Sequence, residues 1–182
     1  MRRDARSGAV QHPLEEVVSQ AVGSALIPIA SAALGQGNVQ KARDANVYSL
    51  RITTILMVAI AAILFIFADY AVIPFTLSES MAELRPQFAH VLRIYAVLIP
   101  FFGLVDIGSS ILQSLRLAQM SMVASFVRNL MIIVFLVFAS RVSMDAIFYS
   151  LLVAEVIGGF MMLWLAKREF DRHAASEGFA EG

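Results

Sequence analysis

Five charged residues sit within or beside long apolar runs: Asp69, Arg93, Asp106, Arg128 and Glu155. A carboxylate in such surroundings can bind and release a proton or a metal cation, and a guanidinium beside it can neutralise it. At mid-bilayer an unpaired charge costs about 2.5–3.5 kcal/mol or more, so such groups pair with one another or turn toward a cavity. Two roles fit these five. They lock helices together as ion pairs, or they take part directly in binding a coupling ion or substrate.

The elements that must position them follow from hydropathy. Of the 182 residues, 59% are hydrophobic and 15% charged, against roughly 45–50% and about 25% in a soluble domain. The mean hydropathy is +0.74, and lipid is the solvent that accepts such a surface. Runs 52–74, 91–112, 120–139 and 146–166 each approach or exceed the ~20 residues that cross ~30 Å of hydrocarbon. Their backbones must bond internally, which predicts helices; the alternating strands of a β-barrel are absent. A fifth run, 17–34, carries no charge but is diluted by Ser19, Gln20, Gly23, Ser24 and Ser31. It suits a helix packed among neighbours, where small residues allow close approach. The expected fold is an all-α polytopic bundle of four to five spans. A polar segment 1–13 precedes a bundle over 14–168, with helices near 14–34, 38–75, 79–115, 119–140 and 144–168, and a polar tail covers 169–182.

Lysine and arginine placement sets the expected orientation. Lys41, Arg43, Arg51, Arg116, Lys167, Arg168 and Arg172 share one side; Arg85, Arg93 and Arg141 lie on the other, with three arginines before the first run. The first group is expected in the cytoplasm, with the C-terminus inside, in the cell's inner or plasma membrane.

Depth then relates the charges. In an antiparallel hairpin, residues equally far from the turn lie level. Asp106 and Arg128 are each about eleven residues from Leu117, roughly 16 Å at ~1.5 Å per residue. Glu155 and Arg128 are nearly equidistant from Val142, so one arginine is expected level with two acids. The turn near Met81 sets Asp69 level with Arg93, closer to the outer surface, where a structural pair is expected. Asp106, Ser109, Ser110 and Gln113 recur at i, i+3, i+4 and i+7, one helix face. Tyr95 and Phe102 continue it past Pro100, a residue that can kink a helix. Ser121, Ser125 and Arg128, with Asn129 beside them, form a matching stripe on the next run. Two such faces suggest a polar interior or a lined cavity.

Other chemistries find no footing. Without cysteine there are no disulfides, thiolate metal sites or cysteine nucleophiles. A net charge of zero offers no basic field for nucleic acid. His12, His90 and His173 fall in expected loops or tails, and no HExxH, GxSxG or Walker-type lysine occurs. No enzyme and no resident cofactor or metal is expected. Residues 1–6 are charged and lack the pattern of a signal peptide. Gly35-Gln36-Gly37 is read as ending one helix so that Asn38 caps the next, Gly158-Gly159 as a close helix contact, and the methionines, such as Met57 and Met162, as packing.

The segment Ile27-Pro28-Ile29-Ala30-Ser31-Ala32-Ala33-Leu34-Gly35-Gln36-Gly37-Asn38-Val39-Gln40-Lys41-Ala42-Arg43 resembles an element of the multidrug and toxic compound extrusion (MATE) transporters. There a small-residue helix ends in a Gly-rich cytoplasmic turn before a helix that opens with basic residues. Leu92-Arg93-Ile94-Tyr95 and Pro100-Phe101-Phe102-Gly103 resemble the start and middle of a later helix in that family. Ser109-Ser110-Ile111-Leu112-Gln113 and Ser125-Phe126-Val127-Arg128-Asn129 resemble its next hairpin. The resemblance covers about residues 17–168 and implies the last five helices of the second of two six-helix lobes. It also implies export of drugs or organic cations in exchange for protons or sodium, and makes Asp106 the nearest candidate for an acid carried on that helix, about one turn from the matching position. The first lobe has no counterpart here, and residues 1–13 do not resemble the helix that opens the second.

The expected protein is therefore part of a cation-coupled antiporter, a partial MATE-like lobe. Asp106 and Glu155 would handle the coupling ion or substrate with Arg128 as counter-charge, and Tyr95, Ser109, Ser110, Gln113, Ser125 and Asn129 would line the polar stripe. Its expected partners are membrane lipid, a small-molecule substrate, and the missing lobe, supplied by a separate chain or a second copy. The alternatives are a non-transporting scaffold or assembly subunit, a truncated fragment, or a flippase of lipids or lipid-linked glycans from the same superfamily.

Overall fold

The computed structural model describes residues 14–75 and 82–178. Its helices are α1 (Leu14–Gly35), α2 (Val39–Ile66), a short α3 (Ala68–Val72) followed by a 3-10 turn (Ile73–Phe75), α4 (Arg85–Ser114), α5 (Ala118–Ala139) and α6 (Met144–Gly178). Among the described residues there is no strand, and five helices are long and apolar enough to cross a membrane. The run 17–34 is one of them. The polar segment 1–13, with His12, and the turn expected near Met81 lie outside the described residues.

Two turns reverse the chain by the same device. After α1, the amide of Gly37 bonds to the Leu34 carbonyl and that of Asn38 to the Ala33 carbonyl, each at 2.9 Å. Gly37 holds φ of 70°, the left-handed residue that closes this helix-ending motif. Asn38 then caps α2, its side chain accepting from the Lys41 amide at 2.9 Å. After α4, the amides of Arg116 and Leu117 reach the Gln113 and Leu112 carbonyls in the same pattern, with Arg116 at φ of 62°. The second turn thus forces a non-glycine residue into the conformation the first gives to glycine. At the other end of the bundle, Ser143 Oγ accepts from the Ala146 amide at 3.1 Å to start α6.

The segment expected as one helix over 38–75 is broken. α2 stops at Ile66, Phe67 leaves the helical conformation, and α3 resumes at Ala68. Ala68 and Val72 are buried there, α3 packs on α4, and Asp69 reaches Arg93 at 2.7 Å. The run's apolar content continues across the break, so hydropathy alone does not reveal it.

α4 is the hub, packed against α1, α2, α3 and α6, while α5 leans chiefly on α6. The core joins Leu26, Ala30 and Ala33 of α1 with Ala42 of α2, Ile107, Ile111 and Leu112 of α4 and Met162, Ala166 and Phe170 of α6. Small residues set the spacing. A Cβ on Gly108 would stand 3.1 Å from the Met162 carbonyl carbon, and one on Gly159 3.3 Å from the Phe101 carbonyl oxygen. Backbones that close gain dispersion contacts along the seam, which lipid cannot match. Pro100 lies inside the unbroken α4. The outer faces of α2 and α5 expose large apolar side chains, among them Ile55, Ile63, Phe126, Leu130 and Phe138, as a hydrocarbon solvent allows. α6 continues as helix through much of the segment read as a tail.

Candidate functional site

Two polar sites lie inside the apolar layer. The first is the seam between α1 and α4. These helices run parallel, and Gly23 permits their approach: a Cβ there would collide with Ser110 Oγ. One turn before Gly23, the hydroxyl of Ser19 donates to the Asp106 carboxylate. Ser110 Oγ turns back to the Asp106 carbonyl at 2.9 Å, and Ser31 Oγ lies 3.1 Å from the Ser114 carbonyl. Ser19 is buried and Asp106 half-buried. Asp106 lies eight residues inside the end of α4, about 12 Å at ~1.5 Å per residue, within a helix long and apolar enough to cross a membrane.

The second site joins α5 to α6. Arg128 Nη1 donates to both oxygens of Glu155, at 2.9 and 2.7 Å, and Nη2 to Asn129 Oδ1 at 3.2 Å. Side-chain exposure is 3% for Glu155 and 16% for Arg128. Gly158, one turn along α6 from Glu155, gives the arginine its path: a Cβ there would stand 2.7 Å from both Cγ and Cδ of Arg128. Arg128 Nε is buried without a hydrogen-bond partner among the described residues.

The expectation of one arginine level with two acids is thus only partly matched. Arg128 meets Glu155, whereas the Asp106 carboxylate is engaged from the other side, by Ser19 of α1. The reason lies in register and rotation. Ser109 Oγ meets Ser121 Oγ at 2.7 Å, so the α4–α5 hairpin pairs about a residue or two before Leu117. Arg128 then stands farther out than Asp106. Asp106 also faces α1, whose part equal spacing about a turn cannot reveal.

Asn129 aside, the remaining stripe residues lie apart from these two contacts. Gln113 Nε2 donates to Ser109 Oγ at 3.1 Å, linking the α4 stripe to Ser121 of α5. Tyr95 and Phe102 lie ring to ring at 6.2 Å. Ser125 is half-buried and Asn129 exposed. Asp69 and Arg93 form a half-exposed pair at 2.7 Å, near the far end of the bundle. Sequence reasoning missed Ser19, Gly23 and the role of Gly158 as a slot. The signal was there in Ser19 and Gly23, small residues four apart on one helix face. Among the described residues no group of three or more His, Cys, Asp or Glu is placed to hold a metal ion.

The arrangement offers two carboxylates within the membrane in different settings. Glu155 is bound by a fixed cation. The Asp106 carboxylate accepts from a hydroxyl on a neighbouring helix and lies close enough to Glu155 for the two charges to act on each other.

The MatE family model matches residues 16–138 of the chain. Among solved structures, an inward-facing conformation of a multidrug resistance MATE family transporter of the MOP superfamily superposes with a TM-score of 0.82 at 18% identity, covering 88% of this chain and 37% of that one. A MATE protein crystallised in complex with MaL6 gives 0.80 at 18% identity, over 87% and 36% of the two chains. An outward-facing conformation of a MATE family transporter gives 0.76 at 16% identity, over 87% and 38%. The chain therefore spans little more than a third of the transporters it matches. No curated protein matches the sequence.

Proposed function

Since the chain belongs to the MatE family, we propose that it forms part of a cation-coupled secondary antiporter that exports drugs or organic cations, with a proton or sodium ion as the coupling ion. Its fold is that of the MATE transporters, and the rest of the assembly would come from a further lobe or a second copy. The observation that carries the mechanism is the Asp106 carboxylate, held within the membrane by Ser19 across the close α1–α4 seam.

Asp106 binds the coupling cation. Ser19 supports this by orienting the carboxylate, and a hydroxyl can shift from donating to a carboxylate to accepting from a protonated one, or offer its oxygen to sodium. The outer face of α1 supports a lined passage beside it. That face exposes Gln20, Ala21, Ser24, Ala25 and Pro28 beside Val17 and Ile29, more mixed than the outer face of α5. Arg128 and Glu155 act as the lock that fixes α5 on α6, so that the seam moves against a rigid partner. The end bearing the Gly37 and Arg116 turns also carries Lys41, Arg43 and Lys167, which supports a cytoplasmic location for that end and for the C-terminus.

The test is efflux of a fluorescent organic cation from vesicles holding the assembled transporter, under an imposed proton or sodium gradient. Asp106→Asn should abolish gradient-driven efflux, and Ser19→Ala should weaken it with the assembly intact. Unchanged efflux in Asp106→Asn would overturn the assignment.

A further inference from the structure

A cavity of about 560 Å³ opens between α2, α4 and α6 at the end of the bundle that carries the Gly37 and Arg116 turns. It is separate from both polar sites. Two facing helical stripes build it: Arg43, Asn46, Val47 and Leu50 on α2, and Leu163, Lys167, Phe170 and Asp171 on α6, with Ile111 of α4 as the floor. Its polarity is graded along the membrane normal. Arg43, Lys167 and Asp171 stand at the mouth, whereas Leu50, Ile111 and Leu163 lie deeper. Arg43 and Leu50 are seven residues apart on α2, about 10 Å at ~1.5 Å per residue.

The mouth is built to hold an anion. Arg43 is steadied by one bond to Asp171 at 3.3 Å and by the face of Phe170, 5.9 Å from its guanidinium carbon. Both ion-pair partners are half-exposed, so the guanidinium keeps further N–H groups to donate. Lys167 is exposed and makes no hydrogen bond or ion pair among the described residues. Two cations thus stand against one carboxylate. One turn below Arg43 the Asn46 side chain lines the wall, buried, with Oδ1 lacking any partner among the described residues. The amide NH2 of the same side chain is a donor that an ester carbonyl of a lipid can accept from at this depth. Beside the mouth, Trp164 is exposed with Arg168 over its ring at 5.2 Å, the pairing found at a membrane–water boundary.

We propose that this cavity is a binding site for one anionic glycerophospholipid. Its phosphate is held between Arg43 and Lys167, an ester carbonyl accepts from the Asn46 amide N–H, and an acyl chain follows Val47, Leu50 and Leu163 into the bilayer. The occupant is fixed by the match of a cationic mouth to an apolar, membrane-directed throat. Basic pockets between transmembrane helices at the headgroup level recognise such lipids.

The test uses the purified chain in mild detergent, with phosphatidylglycerol or phosphatidylcholine added and bound lipid counted by native mass spectrometry. The expected result is a one-to-one phosphatidylglycerol adduct that exceeds the phosphatidylcholine adduct. A basic residue at the surface contributes about fivefold in affinity, so the pair Arg43→Gln and Lys167→Gln should reduce the adduct roughly 25-fold. Leu50→Trp keeps both charges and fills the throat, and should reduce it as well; Val47→Trp asks the same if that protein aggregates. Lys41→Gln, near the same height but on another face of α2, should leave the adduct unchanged. Equal binding of the two lipids, retention in the throat variants, or an equal loss in Lys41→Gln would each overturn the proposal. The count needs no gradient or substrate, so it stands or falls apart from the transport reading.

Discussion

Removing Arg128 should destabilise the bundle far more than removing Arg128 and Glu155 together. In Arg128→Met the Glu155 carboxylate, 3% exposed, loses both Nη1 contacts at 2.7 and 2.9 Å. Breaking a buried pair by deleting one member costs about 3–5 kcal/mol, because the other charge is left uncompensated. For a chain of this size each kcal/mol moves Tm by about 2–4 °C, so the single variant should melt roughly 6–20 °C lower. Glu155→Leu leaves the guanidinium stranded, its Nε already without a partner, and should fall by a similar amount. The double variant Arg128→Met with Glu155→Leu replaces the pair by apolar groups. Such replacements are neutral or stabilising by about 1–4 kcal/mol, so its Tm should return to the wild-type value or exceed it. The assay is thermal unfolding in mild detergent, followed by helical circular dichroism. Additive losses in the double variant, or single losses below about 1 kcal/mol, would refute the view that this pair is a coupled lock.

Other substitutions probe the same structure. Gly158→Ala should destabilise by about 1–3 kcal/mol, the usual range for overpacking, since its Cβ would stand 2.7 Å from Arg128 Cγ and Cδ; melting measured with and without Arg128→Ala should show the penalty vanish once the side chain is gone. Gly37→Ala should cost about 1–2 kcal/mol at φ of 70° although nothing crowds the position, while Arg116→Gly, at φ of 62°, should be neutral or stabilising; the two melting shifts should have opposite sign or differ clearly. Arg93→Gln should change stability by less than about 1 kcal/mol, because its pair with Asp69 is half-exposed, as a denaturation midpoint would show.

The spans were legible because hydrocarbon thickness fixes how long an apolar run must be, and five runs meet it. Turn chemistry was legible at Gly35-Gln36-Gly37-Asn38, where glycine and asparagine each have a distinct backbone use. It was not legible at Leu115-Arg116-Leu117, where the same motif forms on an arginine that the sequence gives no reason to single out. Depth related Arg128 to Glu155, because a short turn constrains the α5–α6 hairpin, and it related Asp69 to Arg93. It failed to identify the partner of Asp106, since rotation about the helix axis decides which neighbour a side chain meets. Ser19 lies 87 residues away, on a helix joined to α4 through no common turn. The break at Phe67 escaped for a related reason. Apolar composition persists through it, and the packing of α3 on α4 that favours it is tertiary.

The central claim is that Asp106 couples cation movement to export, and a comparison of two transport modes tests it most directly. Vesicles with the assembled transporter carrying Asp106→Asn are loaded with a fluorescent organic cation. Exchange against external substrate is measured without a gradient, then uphill movement under a proton or sodium gradient. Exchange should persist while the gradient no longer drives accumulation. Gradient-driven accumulation at the wild-type level would contradict it.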